Sequence, residues 1–464
     1  MKVIKVGLFS FSDGRLPIHE SLVPVIEKEA AKIISCLMKA GEVTIVKSNI
    51  INSPTLAREE AKRLSAQDID AAIFNFPVFA FPNFATITAN LLRIPVLLLA
   101  PRSDAFPSVN GLLCTATNLA QVGIKHARVW DDIGKKEVLD KVMAFVRASF
   151  TLNQLKGSSY GLIGGRSMGL FAGAVSIPGW QRTFGVDVNH IDEYEIVRRA
   201  GLIGKDRVET GFAWLKKTVK QICFDKDQLT PEKLELQIRS YLAAKDIIKD
   251  YCLDFVGIKC HYEMSEYFVT QCLTISLLND MTDWEGRGEP IVAACEADSD
   301  GALTMQMMKL LSGKPAALLD LRHYDEKSKL FVLVNCGASA PWFVERSANA
   351  CNNFSKASLQ PAIKKYKGGG AHVEFNYKAG KYTAARLFRE KDRYKMLISP
   401  VEFKDFPKGY KKNPPVWPCA LAKLPVSPDD LIDKLSANHL HFVFGDYIRE
   451  LEYLCNFYNI EVVK

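Results

Sequence analysis

The chain has 464 residues, enough for two or three domains, and 48% of them are hydrophobic, enough for several cores. Its 60 Lys and Arg are interleaved with 52 Asp and Glu, so the net charge of +8 is spread thin and forms no basic block. That pattern argues against nucleic acid as a partner, and the lack of any apolar run near 18 residues argues against a membrane span.

From the N-terminus, strand-like and helix-like segments alternate. VIKVGLFSF reads as a strand, SLVPVIEKEAAKIISCLMKAG as an amphipathic helix and EVTIVKS as a strand. SPTLAREEAKRLSAQ (helix), DAAIFNFPVF (strand), FATITANLLR (helix) and IPVLLLAP (strand) continue the series, which is the βα repeat of a doubly wound parallel sheet. The helix VLDKVMAFVRASFTLNQLKG leads into a second unit that opens on SSYGLIGGRSMGL, a strand running into a glycine-rich turn. From about residue 325 the texture changes to short alternating strands between Gly, Lys and Asp turns, among them FVLVNCGAS, HVEFNY, YTAARLF and YKMLISPVEF. The expected architecture is α/β: two doubly wound parallel-sheet domains, 1–154 and 155–316, then a mostly antiparallel β domain, 317–464. The eleven cysteines form no C-x-x-C, and their odd number argues against a disulfide framework. MKVIKVGLFSFSDGR enters a strand at once, without a signal-peptide core, so a cytoplasmic location is expected.

One stretch carries chemistry: IVAACEADSDGALTMQMMKLLSGKPAALLDLR, from Ile291 to Arg322. IVAAC and PAALL read as buried strands that end in Glu296 and Asp320, with a helix between them capped by Ser299 or Asp300 and stopped at Gly313. A right-handed βαβ crossover would put both strands in one parallel sheet and both acids at its carboxyl edge, where α/β sheets bind ligands. Two carboxylates there repel unless protonated or bridged, and a hard divalent cation such as Mn²⁺ or Mg²⁺ is the natural bridge. Spacing alone favours the plainer reading, a strand-end acid and a helix-capping acid. Near the C-terminus, SANHLHF places His439 and His441 on one face of a strand, as two metal-binding or two structural imidazoles.

Together, EPIVAACEADSDGALTMQMMKLLSGKPAALLDLR, SANH, DGRLPIHESL and KGSSYGLIGGRSMGL resemble segments of the L-fucose isomerase family, ketol-isomerases related to L-arabinose isomerase. The resemblance runs over nearly the whole chain. It implies an aldose–ketose isomerase acting on a free sugar like L-fucose, D-arabinose or L-arabinose through an enediol. The implied metal ligands are Glu296, Asp320 and His439, holding Mn²⁺ (with Mg²⁺ or Co²⁺ as substitutes) and no organic cofactor. Glu296 and Asp320 would also move protons, and His441 would stand behind the ligands or serve structure. The resemblance further implies a homo-oligomer, trimer or hexamer, and marks Lys259 in VGIKCHYE and Arg15 in DGR as sugar contacts. The family pattern carries a neutral amide where Lys259 stands, which brings an anionic sugar, phosphorylated or sulfonated, into view.

Asn335 and Ser339 in NCGASAPWF follow a strand and could meet sugar hydroxyls; such residues also satisfy turns. Gly368 to Gly370 read as a flexible loop able to act as a lid. GLIGGRSMG does not fit G-x-G-x-x-G, so a nicotinamide oxidoreductase has little support. His19, His261, His323 and His372 have no mutual spacing that builds a site. A sugar-binding or regulatory protein without turnover, built on the same scaffold, is the alternative from another functional class.

Overall fold

The computed structural model of the protein describes residues 3–391 and 393–464. The chain divides into two compact units, Met1–Gln154 with Arg449–Tyr458, and Leu155–Ile448 with Asn459–Lys464.

The first unit is built on β1 (Ile4–Ser10), β2 (Val43–Lys47), β3 (Ala71–Asn75), β4 (Val96–Ala100) and β5 (His126–Trp130). They form one parallel sheet in the order β2-β1-β3-β4-β5. The central strands β3 and β4 are buried at every residue, which is why AAIFN and VLLLA read as unbroken apolar runs. Alternate residues of β1 and β3 feed two cores. Phe9 and Phe74 join Ala57, Ala61, Ala85, Ala89 and Leu112 on one face. Leu8 and Ile73 join Ala30, Ile33, Leu37, Val138 and Val142 on the other. Helices therefore cover both faces, as a parallel sheet requires. The helix Ile448–Tyr458 belongs largely to this unit, its Tyr453 ring 5.8 Å from Phe145.

In the second unit, β6 (Ser159–Ile163), β7 (Asp187–Ile191), β8 (Gln221–Ile222), β9 (Phe255–Ile258) and β10 (Ala293–Cys295) come first. Four of them make a parallel sheet in the order β10-β9-β6-β7. The remaining strands are β11 (Ala316–Asp325), β12 (Leu330–Val334), β13 (Ser358–Pro361), β14 (Ala371–Glu374), β15 (Gly380–Glu390), β16 (Arg393–Lys404), β17 (Cys419–Lys423), β18 (His439–Phe444) and β19 (Glu461–Val463). The order β15-β18-β11-β12-β17-β16 is antiparallel throughout and closes on itself through the β15–β16 pairing, giving a barrel to which β19 adds in parallel beside β16. Closure removes the exposed edges of these six strands. The strands β14, β13 and β8 form a small separate sheet. The chain is thus α/β, with parallel sheets followed by a C-terminal antiparallel module as the sequence predicts, and that module closes into a barrel. Among the described residues no helix is long and apolar enough to cross a membrane.

One expectation fails. The runs IVAAC and PAALL do not form a βαβ crossover, because β10 lies in the parallel sheet while β11 lies in the barrel. Only three residues of the first run pair with β9, whereas β11 extends to ten and takes antiparallel partners in both β12 and β18. The helix Ser299–Ser312 passes from the sheet to the barrel and packs against β10, β11, β15 and β18.

Candidate active site

Three chain segments converge at the junction of sheet and barrel. The first is the carboxyl end of the parallel sheet. Cys295 of β10 pairs with Ile258 of β9, so Glu296 and Lys259 are the next residues out along neighbouring strands. Glu296 and Ala297 then adopt left-handed backbone, with φ of 59° and 53°. Such conformations cost about 1–3 kcal/mol each and persist only where the surroundings fix them. Here the Ala297 amide donates to the Ile258 carbonyl at 3.1 Å and the Asp298 amide to the Cys295 carbonyl at 3.2 Å. Gly257 makes the close approach possible, since a Cβ there would stand 3.2 Å from Ala297 Cα and 2.2 Å from the Tyr160 hydroxyl.

The second segment is the start of the helix Ser299–Ser312. Its cap is Asp298, whose Oδ1 accepts from the Gly301 amide at 2.9 Å, and neither Ser299 nor Asp300 takes that role. Ser299 instead meets the Tyr160 hydroxyl at 2.9 Å, and Asp300 pairs with Arg389 at 2.9 Å. The helix stops at Gly313, in left-handed backbone, as expected.

The third segment is the barrel. Asp320 on β11 and His439 on β18 are directly paired, and His439 Nε2 lies 3.5 Å from Asp320 Oδ1 and 3.6 Å from Glu296 Oε2. Its other nitrogen, Nδ1, meets Asp298 Oδ2 at 2.8 Å. Asp298 is in turn clasped by the Arg386 guanidinium, with Nη2 donating to Oδ1 at 3.0 Å and Nη1 to Oδ2. The side chains of His439, Asp298 and Arg386 are 1% exposed, whereas Glu296 keeps 16% and Asp320 38%. The imidazole is therefore locked from behind, and the two carboxylates open outward in front of it.

The electrostatics follow this layout. Burial works to raise the Asp298 carboxyl, but Arg386 and His439 outweigh it and hold the group well below the usual range. Burial is also the main influence on Glu296, raising it to about 7 against the pull of His439, with Asp320 and Asp298 adding repulsion. Asp320 is raised for the same leading reason. Burial disfavours charge on His439, yet the Asp298 hydrogen bond and the three carboxylates around it lift the imidazole to about 9. Three carboxylates thus face one imidazole and one guanidinium, that of Arg386.

Two carboxylates and an imidazole are the donor set of a hard or borderline divalent cation. Nδ1 bonded to a carboxylate, with Nε2 facing the acids, is the usual support of a metal-binding histidine. Donors around an octahedral ion stand roughly 3 Å apart, a little closer than the separations here. Among the described residues no group of three or more His, Cys, Asp or Glu side chains is placed so that it could hold a metal ion. The residues are of the kind such an ion takes, and His439 Nε2 is directed at both carboxylates.

The other sequence candidates fall as follows. Lys259 reaches Glu263 at 2.7 Å and is 14% exposed. The Gly164 turn brings Glu193 to the other side of it, where burial above all raises the Glu193 carboxyl to about 7 although Lys259 lowers it. Asn335 is buried and accepts from the Ala338 amide at 2.6 Å, so its oxygen serves a turn. Ser339 is buried, and its carbonyl accepts from the Ser276 hydroxyl at 2.7 Å. Arg15 belongs to the first unit, where Nε and Nη2 hold Asp13 at 2.9 and 2.7 Å with most of the side chain exposed. His441 is fully buried beside Gly301 and the Asp298–Arg386 pair. Burial and Arg386 push its pKa well down.

Gly368 to Gly370 are not a loose loop. All three amides are bonded, to Ser265, Tyr366 and Gln228, and a Cβ on Gly370 would strike Gln237 at 2.5 Å. His261 stacks on Tyr366 at 5.0 Å, and His372 Nδ1 accepts from the Trp417 indole at 2.9 Å.

Sequence reasoning missed Asp298 and Arg386. The D-S-D-G run, an acid three residues before a glycine, could have marked Asp298 as the cap, but nothing in YTAARLF marks Arg386.

Residues 3–157 match the family model of the L-fucose isomerase first N-terminal domain, and residues 333–464 match that of the L-fucose isomerase C-terminal domain. Together these stretches cover more than half of the chain. The chain belongs to the L-fucose isomerase family. His439 lies within the second matched stretch, and Glu296 and Asp320 between the two. Proteins similar to this chain include some named L-fucose isomerase and some named sulfoquinovose isomerase. A sulfoquinovose isomerase of Alkalicoccus urumqiensis is 24% identical over 408 residues, covering 85% of this chain and 86% of the relative. An L-fucose isomerase of Vibrio vulnificus is 21% identical, covering 78% and 69%. A sulfoquinovose isomerase of Priestia megaterium is 22% identical, covering 81% of each.

Proposed function

We propose that the protein is an aldose–ketose isomerase in which Glu296, Asp320 and His439 hold one divalent cation, Mn²⁺ first and Mg²⁺ or Co²⁺ as substitutes, beside C1 and C2 of a sugar. The observation that carries this reading is the position of His439, with Nε2 3.5 and 3.6 Å from two carboxylates and Nδ1 fixed by a third. A cation held by these three side chains would supply positive charge to polarise the sugar carbonyl and steady O1 and O2 of the sugar.

The chain's own residues do the rest. Asp298, itself held by Arg386, keeps the proton of the neutral imidazole on Nδ1 and the lone pair on Nε2. Glu296 and Asp320 approach from different layers, the parallel sheet and the barrel, so they can address different atoms of one ligand. One carboxylate takes the proton from C2 and returns it to C1, while the other moves a proton between O1 and O2. An enediol lies between the two transfers, and no organic cofactor is needed. A cytoplasmic homo-oligomer, trimer or hexamer, is part of the same reading.

A second reading concerns the substrate. Lys259 stands next to Glu296 on the sheet edge, and the relative matching 85% of this chain is named for sulfoquinovose. Both favour a sugar carrying an anionic group. The test is to dialyse against chelator, restore Mn²⁺, and assay ketose formation from L-fucose, D-arabinose, L-arabinose and sulfoquinovose. Turnover that needs the ion is expected with one of these classes. No turnover of any sugar with Mn²⁺ restored overturns the isomerase reading.

A further inference from the structure

Four thiols gather behind Glu296. Cys260 lies two residues past β9, Cys272 opens the helix Cys272–Asn279, Cys295 ends β10, and Cys336 lies two residues past β12. Cys295 Sγ and Cys336 Sγ are 3.5 Å apart. The Cys272 thiol donates to the Cys336 carbonyl at 3.1 Å, and Cys260 Sγ accepts from the Gln271 amide at 3.3 Å. All eleven cysteines are free, and within this group only Cys336 is not fully buried.

We propose that Cys295 and Cys336 are a site of reversible oxidation, joined as a disulfide when a peroxide reaches Cys336. The Cys336 sulfur attacks one peroxide oxygen, the O–O bond breaks, and Cys336 becomes a sulfenic acid with release of water. The Cys295 sulfur then attacks the Cys336 sulfur. The S–O bond breaks, and the departing hydroxide leaves as a second water with the Cys295 proton. Two thiols lose two electrons and hydrogen peroxide gains them. The partner thiol already stands in van der Waals range, and bonding draws the sulfurs together by about 1.5 Å to reach a bond of about 2.05 Å.

Both sides of this pair are held by backbone hydrogen bonds. Around Cys336, Asn335 Oδ1 is bonded to the Ala338 amide, and the Gly337 carbonyl accepts from the Val373 amide at 3.2 Å with His372 packed beneath. Cys295 pairs with Ile258 of β9, its carbonyl accepts from the Asp298 amide at 3.2 Å, and the next residue is Glu296. Drawing Cys295 Sγ toward Cys336 pulls on the residue directly before Glu296 and shifts Glu296 relative to His439. A misplacement near 1 Å can cost about 10²-fold in rate, so oxidation switches the site off. This last step rests on the isomerase reading; the crosslink itself does not.

The experiment treats the full chain with hydrogen peroxide, then follows sugar turnover and the unreduced tryptic digest by mass spectrometry. Cys295 and Cys336 fall on separate peptides, 288–309 and 330–346, while Cys260 and Cys272 share 260–287. The expected result is a 288–309/330–346 crosslink that rises as turnover falls at least tenfold, both reversed by dithiothreitol. Cys336→Ser should keep its basal turnover and resist peroxide, and Cys272→Ala should behave as the wild type. No crosslink, or one to peptide 260–287 instead, overturns the site. A crosslink with turnover unchanged overturns the link to Glu296. If the untreated protein turns over no sugar, the isomerase reading fails, and the crosslink still decides the thiol site.

Discussion

Asp320 of β11 and His439 of β18 occupy one rung of the barrel's antiparallel ladder, which puts Oδ1 3.5 Å from Nε2. Backbone pairing on a closed barrel, more than any loop, sets this half of the site. Glu296 arrives from another sheet, and its 3.6 Å approach depends on the turn through Ala297.

Glu296→Gln and Asp320→Asn keep shape and remove the base. Each should lower kcat by about 10²–10⁴-fold, the usual contribution of a positioned acid or base. Circular dichroism should match the wild type, because both side chains open outward and neither bears on the core. Near-normal turnover in Glu296→Gln with Mn²⁺ present would remove the proposed mechanism.

Asp298→Asn should act twice. It leaves the Arg386 guanidinium buried without its counter-charge, a change that typically costs about 3–5 kcal/mol. It also frees the His439 ring, and loss of such support lowers metal affinity by about 10–100-fold. A thermal melt and a Mn²⁺ titration of the same preparation read the two effects separately. A variant that binds Mn²⁺ as the wild type does would show that Asp298 is no support.

Gly301→Ala tests the crowding behind the histidine. A Cβ at this position would stand 2.6 Å from Asp298 Oδ2, 2.7 Å from His441 Nε2 and 2.8 Å from Arg386 Nη1. Overpacking of this kind costs about 1–3 kcal/mol, although alanine is otherwise the better helix former. Denaturant unfolding should show a loss, and a gain in stability would mean the knot of side chains is looser than its geometry implies.

Away from the site, Asp283 gives a stability change with pH. Its side chain is fully buried, and Oδ2 accepts from the Tyr241 hydroxyl and from Lys245, both at 2.5 Å. Burial is the largest single influence and raises the pKa, but these hydrogen bonds and that of the Arg287 amide outweigh it and hold the group at about 2, below its ordinary 3.8. The folded value is the lower one. Its stabilisation, about 2 kcal/mol, is therefore present above the unfolded value and is lost as pH falls from about 4 through 2. The difference in unfolding midpoint between wild type and Asp283→Asn should shrink between pH 5 and pH 3. A difference that stays constant would contradict the assignment.

Much of the fold was legible because burial leaves a mark on sequence. The runs in β3 and β4 are apolar at nearly every residue because helices cover both faces of their sheet. The helix Ser108–Gln121 and the strand β5 were not recognised; HARVW alternates only weakly, as an edge strand exposed on alternate residues does. The error over PAALL has a different cause. An apolar run records that a strand is buried, but its partner is chosen by residues far along the chain, here those of β12 and β18. The acids and the histidine could be picked out as residue types suited to one another. The Asp298–Arg386 clasp could not, since an arginine inside the strand run YTAARLF carries no sign of a buried acidic partner.

The side chains of β18 alternate between two surroundings. His439 and His441 lie on the face where the helix Ser299–Ser312 packs, while Phe442, between them and Phe444, turns to the Phe403 ring at 5.2 Å. A single residue inserted just before His439 would reverse that alternation and bring Leu440 and Phe442 onto the face the imidazoles now hold. The fold thus tolerates no drift in chain length there: evolution can lengthen the segments that cradle a new sugar, but must leave the spacing of this one strand untouched.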